Sequence, residues 1–492
     1  MTDKIILAID QGTTGSTVLA VSPELKVIGK ANEEFEQVFP QPGWVEHQGA
    51  SIWASIEGAT KKCLEQAGVG PEAIAGIGIT NQRETTCLFD ATTSEPVHNF
   101  IVWQDRRTAD FCQSLKDEGH EALFKARTGL VLDPYFSGTK IRWVFDHAEG
   151  VKAKADKGEV LFGTIDSWLV HKLTGGAAHI TDATNASRTL LMDLTKVAWD
   201  EELMGILGVP AACLPAIKSS SEVYGETRGV GFLPDGIPVA GVVGDQQAAL
   251  FGQACFDKGQ AKCTYGTGTF LMLNTGTEVP TSNNGLLSTV AIKLGDETTY
   301  ALEGSSFIAG AAVQWLRDML KIIKTAPEIE ALAKTVESSG DVCFVPALAG
   351  LGAPHWRADA RGLLCGLSRD SNQGHIARAV LEGIAMQQRD ILEAMRADGA
   401  PLSELRVDGG AAANDLLMQF QSDVLAVDCV RPEVLETTAL GAAALAGLAV
   451  GVFQDKDEVT KVWRAERTFS PAMADDERAH HVAKWARAVE RA

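Results

Sequence analysis

Hydrophobic and polar positions change period several times along the first hundred residues. Ile5 to Ile9 is an unbroken apolar run ending at Asp10. Gln11-Gly12-Thr13-Thr14-Gly15 follows, and Ser16 to Val21 forms a second extended run, so the pattern predicts a strand, a polar turn and a strand. Val27 to Phe35 supplies a third extended segment. From Ser51 to Gln66 the spacing becomes helical, with Ile52, Ile56, Ala59, Cys63 and Leu64 on one face. Ala75 to Thr80 returns as a short strand. An antiparallel meander that feeds a helical crossover is the arrangement these segments predict.

The same order recurs in the second half. Gln260 to Thr264 is extended, Tyr265-Gly266-Thr267-Gly268-Thr269 is a small Gly-rich turn, and Phe270 to Asn274 and Thr299 to Glu303 are extended, with a helix running on from Ala309. Two copies of one plan predict an α/β protein of two duplicated domains. The boundary is placed just after the segment Gly244 to Gly252, giving residues 1–252 and 253–492 with a cleft between them, a favoured place for a ligand.

Composition narrows the function classes. At 492 residues, with 45% hydrophobic and 22% charged residues, the chain has the make-up of a folded globular protein. Its 44 basic and 64 acidic residues give a net charge of -20, a field that repels nucleic acid and anionic membranes. Nine cysteines at irregular spacing, without a CxxC pair, point to a reduced, cytoplasmic protein and not to a metal or disulfide framework. The N-terminus reaches Asp10 too soon for a signal-peptide core. The apolar stretch Ala439 to Phe453 falls below the roughly 20 residues of a membrane span, and is expected as a buried helix.

The candidate chemistry lies in the turns. Asp10 to Thr14 joins a carboxylate at a strand end to a Gly and two hydroxyls, which suits either an ordinary hairpin or a phosphate turn with Asp10 near hydrated magnesium. Tyr265 to Thr269 repeats that turn. After the strand Leu405 to Val407, Asp408-Gly409-Gly410-Ala411-Ala412-Ala413-Asn414 opens a helix through about Leu425, a strand-to-helix turn at which backbone and helix dipole can meet a nucleotide. Neither a dinucleotide-binding fingerprint nor a P-loop is present. Asp245, after the apolar strand Ile237 to Val243, is either a solvated loop acid or the acceptor of a proton from an attacking hydroxyl.

Taken together, Asp10-Gln11-Gly12-Thr13-Thr14, Asn81-Gln82-Arg83-Glu84-Thr85-Thr86, Val102-Trp103-Gln104, Asp133-Pro134-Tyr135-Phe136-Ser137-Gly138-Thr139-Lys140, Gly244-Asp245-Gln246-Gln247, Tyr265-Gly266-Thr267-Gly268 and Val407-Asp408-Gly409-Gly410 resemble the glycerol kinases of the FGGY carbohydrate kinase family, in order and over nearly the whole chain. The resemblance implies two ribonuclease-H-like domains of the actin, hexokinase and Hsp70 kind, with ATP, Mg2+ and glycerol in the inter-domain cleft. It implies Asp245 as the base. Arg83, Glu84, Tyr135, Asp245 and Gln246 would hold the glycerol hydroxyls, and Trp103 and Phe270 would wall the carbon chain. Thr13, Thr14, Gly15, Thr267, Gly310, Gln314, Gly410 and Asn414 would meet the nucleotide, and Asp10 with Asp245 the metal.

It further implies a homo-oligomer, a dimer or tetramer, without nucleic-acid or membrane partners. Two departures stand out: the family's Ser and Arg in the tail of the first phosphate turn are replaced by Gly15 and Thr17, and Gly229 to Gly236 holds no Arg or Lys, so the resemblance does not carry over the regulation by fructose 1,6-bisphosphate that some bacterial members show. The rival readings are a xylulose or gluconate kinase of the same family, or an ATPase of the actin/Hsp70 fold without a polyol pocket.

Overall fold

The computed structural model describes residues 4–357 and 359–492. Two mixed sheets organise it. The first contains β1 (Ile5–Gln11), β2 (Gly15–Val21), β3 (Val27–Glu34), β4 (Ile74–Asn81), β5 (Ser221–Glu226) and β6 (Pro238–Gly244), in the order β5-β6-β4-β1-β2-β3. The second contains β7 (Gln260–Tyr265), β8 (Thr269–Gly276), β9 (Leu287–Leu294), β10 (Glu297–Ser306), β11 (Glu404–Asp408), β12 (Cys429–Pro432) and β13 (Ala465–Phe469), in the order β9-β10-β8-β7-β11-β12-β13.

The two sheets repeat one another strand for strand. β1 runs antiparallel to β2 and parallel to β4, which is parallel to β6. β7 likewise runs antiparallel to β8 and parallel to β11, which is parallel to β12. The antiparallel edges β5 and β13 close the series in the same way. The duplicated α/β plan expected from the sequence is therefore present. The addition is β9, an edge strand paired with β10, whose Ser288, Thr289 and Lys293 interrupt the kind of apolar run that marks β1.

The unbroken apolar run of β1 follows from burial on both faces. Ile5, Leu7 and Ile9 pack with Ile52, Ile56 and Ala59 of helix α1 (Gly49–Ala67). Ile6 and Ala8 pack on the other face with Leu440, Ala443 and Ala446. These last residues belong to a later helix. Of the further helices, those that bear on the site are, in chain order, α2 (Asp245–Gly252), α3 (Gly310–Asp318), α4 (Asp415–Leu425) and α5 (Thr437–Ala449).

The apolar segment read as a buried helix is α5, and it lies across the first sheet, against β1, β4 and β6, although the chain reaches it from the second. α2 follows β6, and α5 follows the equivalent strand β12, so the two helices are counterparts. They touch backbone to backbone: a Cβ on Gly441 would overlap the Ala248 carbonyl oxygen, and one on Gly252 would overlap that of Thr437. The two halves thus meet along a helix pair in which only glycine leaves enough room.

Candidate active site

Parallel pairing lines up three strand ends. Asp10 and Gln11 of β1 stand beside Thr80 and Asn81 of β4, and Thr80 and Asn81 stand beside Val243 and Gly244 of β6. The segments that leave these ends, 12–14, 82–86 and 245–247, therefore open on one edge, where α/β sheets bind ligands. Side chains fix them further. Gln82 donates to Gln11 Oε1 (3.0 Å) and to the Gly12 carbonyl (3.1 Å). The Gly244 amide donates to Thr184 Oγ1 (2.8 Å). Asn81 and Asn185 exchange reciprocal amide bonds of 3.0 and 3.1 Å.

Arg83 and Glu84 occupy the loop after β4, and Glu84 has a left-handed backbone, with φ of 60°, an unusual conformation for a side-chain-bearing residue that turns the two side chains inward. Arg83 is 2% exposed. Its Nη1 donates to Glu303 Oε2 (2.6 Å) and Gln247 Oε1 (3.2 Å), its Nη2 to Glu303 Oε1 (3.1 Å) and the Tyr135 hydroxyl (3.4 Å), and its Nε lies 3.2 Å from Asp245 Oδ1. Glu84 accepts from Arg188 Nε at 2.7 Å. Burial pushes the Glu84 carboxyl up, against the pull of Arg83 and Arg188. Burial would also raise Glu303, but Arg188 and Arg83 outweigh it and hold that carboxyl at about 2.

Three aromatic rings meet beside this cluster. Trp103 stands edge-on to Tyr135 (centroids 5.7 Å apart) and to Phe270 (6.3 Å), and its Nε1 donates to Thr13 Oγ1 at 2.9 Å. One indole thus joins the aromatic wall to the first turn. Burial raises the Tyr135 phenol, so it stays a neutral hydroxyl that can donate as well as accept.

Asp245 is the first residue of α2, and 30% of its side chain remains exposed. Gln246 donates to it twice, from its backbone amide to Oδ1 (2.7 Å) and from Nε2 to Oδ2 (3.2 Å). Behind Gln246 stands Lys262 of β7, fully buried, whose ammonium also donates to Thr264 Oγ1 (3.0 Å) and the Phe270 carbonyl (3.3 Å). Asp10 lies close enough to Asp245 to feel its charge. Burial first, and Asp245 second, raise the Asp10 carboxyl to about 7.

A divalent cation between the two carboxylates would relieve that repulsion. Among the described residues no group of three or more His, Cys, Asp and Glu could enclose a metal. Two carboxylates could hold a divalent cation that keeps most of its waters and takes further oxygens from phosphate.

The second half supplies the facing edge. In the turn after β7, the Gly266 amide donates to the Gly268 carbonyl (2.9 Å), and the Thr267 carbonyl accepts from the Ala309 (2.8 Å) and Ala311 (3.1 Å) amides at the start of α3. A Cβ on Gly310 would stand 2.6 Å from the Gly266 oxygen, so turn and helix approach as only glycine allows. A Cβ on Gly410 would meet nothing within 4 Å, which leaves room for a ligand against the backbone. Asn414 caps α4 through the Leu417 amide (2.9 Å), and Gln314 is exposed on α3. In the first turn Thr14 is exposed, whereas Gly15 is buried against β3, its absent Cβ 2.8 Å from the Glu33 carbonyl.

Three charged residues of this site were not singled out by the sequence. Glu303 read only as a strand end, and Arg188 and Lys262 carried no motif. Their signal is burial together with charge, which becomes visible only when segments distant in the chain meet.

The family model described as "FGGY family of carbohydrate kinases, N-terminal domain" matches residues 5–252, and that for its C-terminal domain matches residues 261–450. A protein named glycerol kinase from Myxococcus xanthus is 61% identical over 492 residues, 99% of both chains. One of the same name from Trichlorobacter lovleyi is 57% identical, covering 99% of this chain and 98% of its own. The crystal structure of Plasmodium falciparum glycerol kinase with ADP superposes with a TM-score of 0.93 at 38% identity, over 99% of this chain and 98% of that one.

Proposed function

Because this chain belongs to the FGGY family of carbohydrate kinases, we propose that it transfers the γ-phosphoryl group of ATP to a terminal hydroxyl of glycerol, giving sn-glycerol 3-phosphate and ADP. Relatives named glycerol kinase match it over 99% and 98% of their own length, and the carrying observation is the convergence of Arg83, Glu84, Tyr135 and Asp245 beside the Trp103–Phe270 wall. A triol has hydroxyls that donate to carboxylates while accepting from guanidinium, and a C–H side that suits aromatic faces.

Asp245 accepts the proton of the attacking hydroxyl, since phosphoryl transfer to an alcohol asks little more of the protein than a positioned base and held charges. Gln246 keeps its carboxylate aimed, and Arg83 and Glu84 orient the remaining hydroxyls. Thr13, Thr14 and Gly15 on one side, and Thr267, Gly310, Gln314, Gly410 and Asn414 on the other, meet the nucleotide. Magnesium at Asp10 and Asp245 would neutralise phosphate charge. Residues 1–252 and 253–492 act as the two closing domains of a cytoplasmic homo-oligomer, and sedimentation measures the oligomeric state. ADP release coupled to a panel of polyols and sugars tests the activity: glycerol should lead the panel, and a preference for xylulose or gluconate, or ADP release independent of any acceptor, overturns the reading.

A further inference from the structure

Glu303 belongs to β10 in the second sheet, yet both its oxygens serve guanidiniums of the first half. Its Oε2 accepts from Arg83 Nη1 (2.6 Å), and its Oε1 from Arg83 Nη2 (3.1 Å) and Arg188 Nη2 (2.9 Å). It is 1% exposed. We propose that Glu303 is the positioning residue for the acceptor alcohol: reaching across the two halves, it fixes the Arg83 guanidinium so that the Nε edge alone is presented at Asp245 and the acceptor hydroxyls. This rests on the glycerol reading above and adds a residue that the site motifs do not contain.

A bidentate carboxylate fixes both the plane and the rotation of a guanidinium. With Nη1 and Nη2 both held by Glu303, and aided by Gln247 and Tyr135, only the Nε side faces Asp245 Oδ1, at 3.2 Å. Through Arg188 the same carboxylate also steadies Glu84, because Arg188 Nε bonds Glu84 Oε1 at 2.7 Å.

The four buried groups balance in charge, two arginines against two glutamates. Without the Glu303 charge, Arg83 would have Asp245 as its nearest alternative anion. Turning an Nη edge toward Asp245 would occupy the lone pair needed for the substrate proton and withdraw the guanidinium from the alcohol. Among the described residues no side-chain hydrogen bond or ion pair joins this quartet to the turns at 265–269 and 409–414, so ATP should be bound as before.

Glu303→Gln keeps the shape and removes the charge. In folded, active-site-titrated enzyme it should raise the glycerol KM at least tenfold and lower kcat, with the ATP KM held within twofold. Glu303→Asp, which keeps the charge but withdraws it by one methylene, should show the same split at smaller size, and it carries the test if the glutamine variant does not fold. A residue that merely stabilises the fold would lower Tm and leave both KM values alone. A glycerol KM within twofold of wild type in the folded variants, or equal rises for glycerol and ATP, overturns the proposal. Failure of the wild type to phosphorylate glycerol would instead strike the functional reading.

Discussion

Asp10 and Thr17 stand directly opposite one another on the antiparallel strands β1 and β2, so their side chains leave the same face of the sheet. The Thr17 hydroxyl accepts from Asn32 Nδ2 at 2.9 Å, and the residue is half-buried. Where the resemblance implies an arginine beside the first turn, this chain has a neutral hydroxyl tied to its neighbour strand.

Thr17→Arg should therefore restore a positive charge next to Asp10 and the phosphates. The expected gain is that of one charge-assisted hydrogen bond, about 1.5–3 kcal/mol at most in ATP binding, with glycerol's KM unchanged. Titration calorimetry at fixed magnesium measures it. Equal or weaker ATP binding by the arginine variant means that β2 and β3 have closed over the position. The tight packing of Gly15 on the Glu33 carbonyl already shows how near β3 lies.

Asp245→Asn should abolish most turnover while leaving glycerol bound. Asparagine keeps the shape and can still accept from the Gln246 amide and Arg83, but it has no basic site. Loss of a general base slows reactions by about 100- to 10,000-fold. Turnover within a few-fold of wild type, with glycerol affinity measured alongside, would remove Asp245 from the role of base.

Legibility in the sequence tracked the range of the interaction. The strands β1, β2 and β8 were readable from their apolar runs and β7 from its place before the Gly-rich turn, and glycine and threonine punctuate these strands locally. β9 was not, because an edge strand with Ser288, Thr289 and Lys293 has no such run. That α5 would be buried followed from its composition, but its place on the first sheet did not. Arg83 and Glu84 came from a motif, whereas Glu303, 220 residues away from Arg83, had no local pattern to betray it. Lys262 is fully buried in a strand, a placement visible only once Gln246 and Thr264 are seen around its ammonium.

His47 should make the protein acid-sensitive. Its Nδ1 faces Gln82 Nε2 at 3.3 Å, it packs edge-on to Phe35 (4.9 Å), and its Nε2 has no hydrogen-bond partner among the described residues. Burial lowers its pKa from 6.5 to about 4. The folded value lies below the unfolded one, so the unfolded chain binds the extra proton first: this stability is complete above pH 6.5 and is lost as pH falls from 6.5 toward 4. A shift of this size corresponds to about 3 kcal/mol at most. Gln82 also holds Gln11 and Gly12, so the loosening should reach the first turn. Carboxylates shape the acid limb of wild type and His47→Gln alike. Tm measured from pH 7.5 to 4.5 should therefore fall less steeply in the variant, and parallel curves would rule His47 out.

The contact between Gly441 and Ala248 should govern how the halves close. α2 begins at Asp245 and α5 lies across the first sheet while belonging to the second half of the chain, so a rotation that narrows the cleft is expected to pivot near their backbone contact. Closure is the means by which a kinase excludes water as a competing acceptor. Glycerol with a nonhydrolysable ATP analogue should thus reduce the radius of gyration in small-angle scattering. Gly441→Ala places a methyl group 2.0 Å from the Ala248 carbonyl oxygen, and overpacking of this kind destabilises by about 1–3 kcal/mol. The wedged helices should also limit compaction and lower kcat more than they weaken glycerol binding. An unchanged radius in wild type, given demonstrated binding of both ligands, defeats closure itself. A Gly441→Ala protein with wild-type Tm and full compaction would leave closure standing and show that the pivot lies elsewhere.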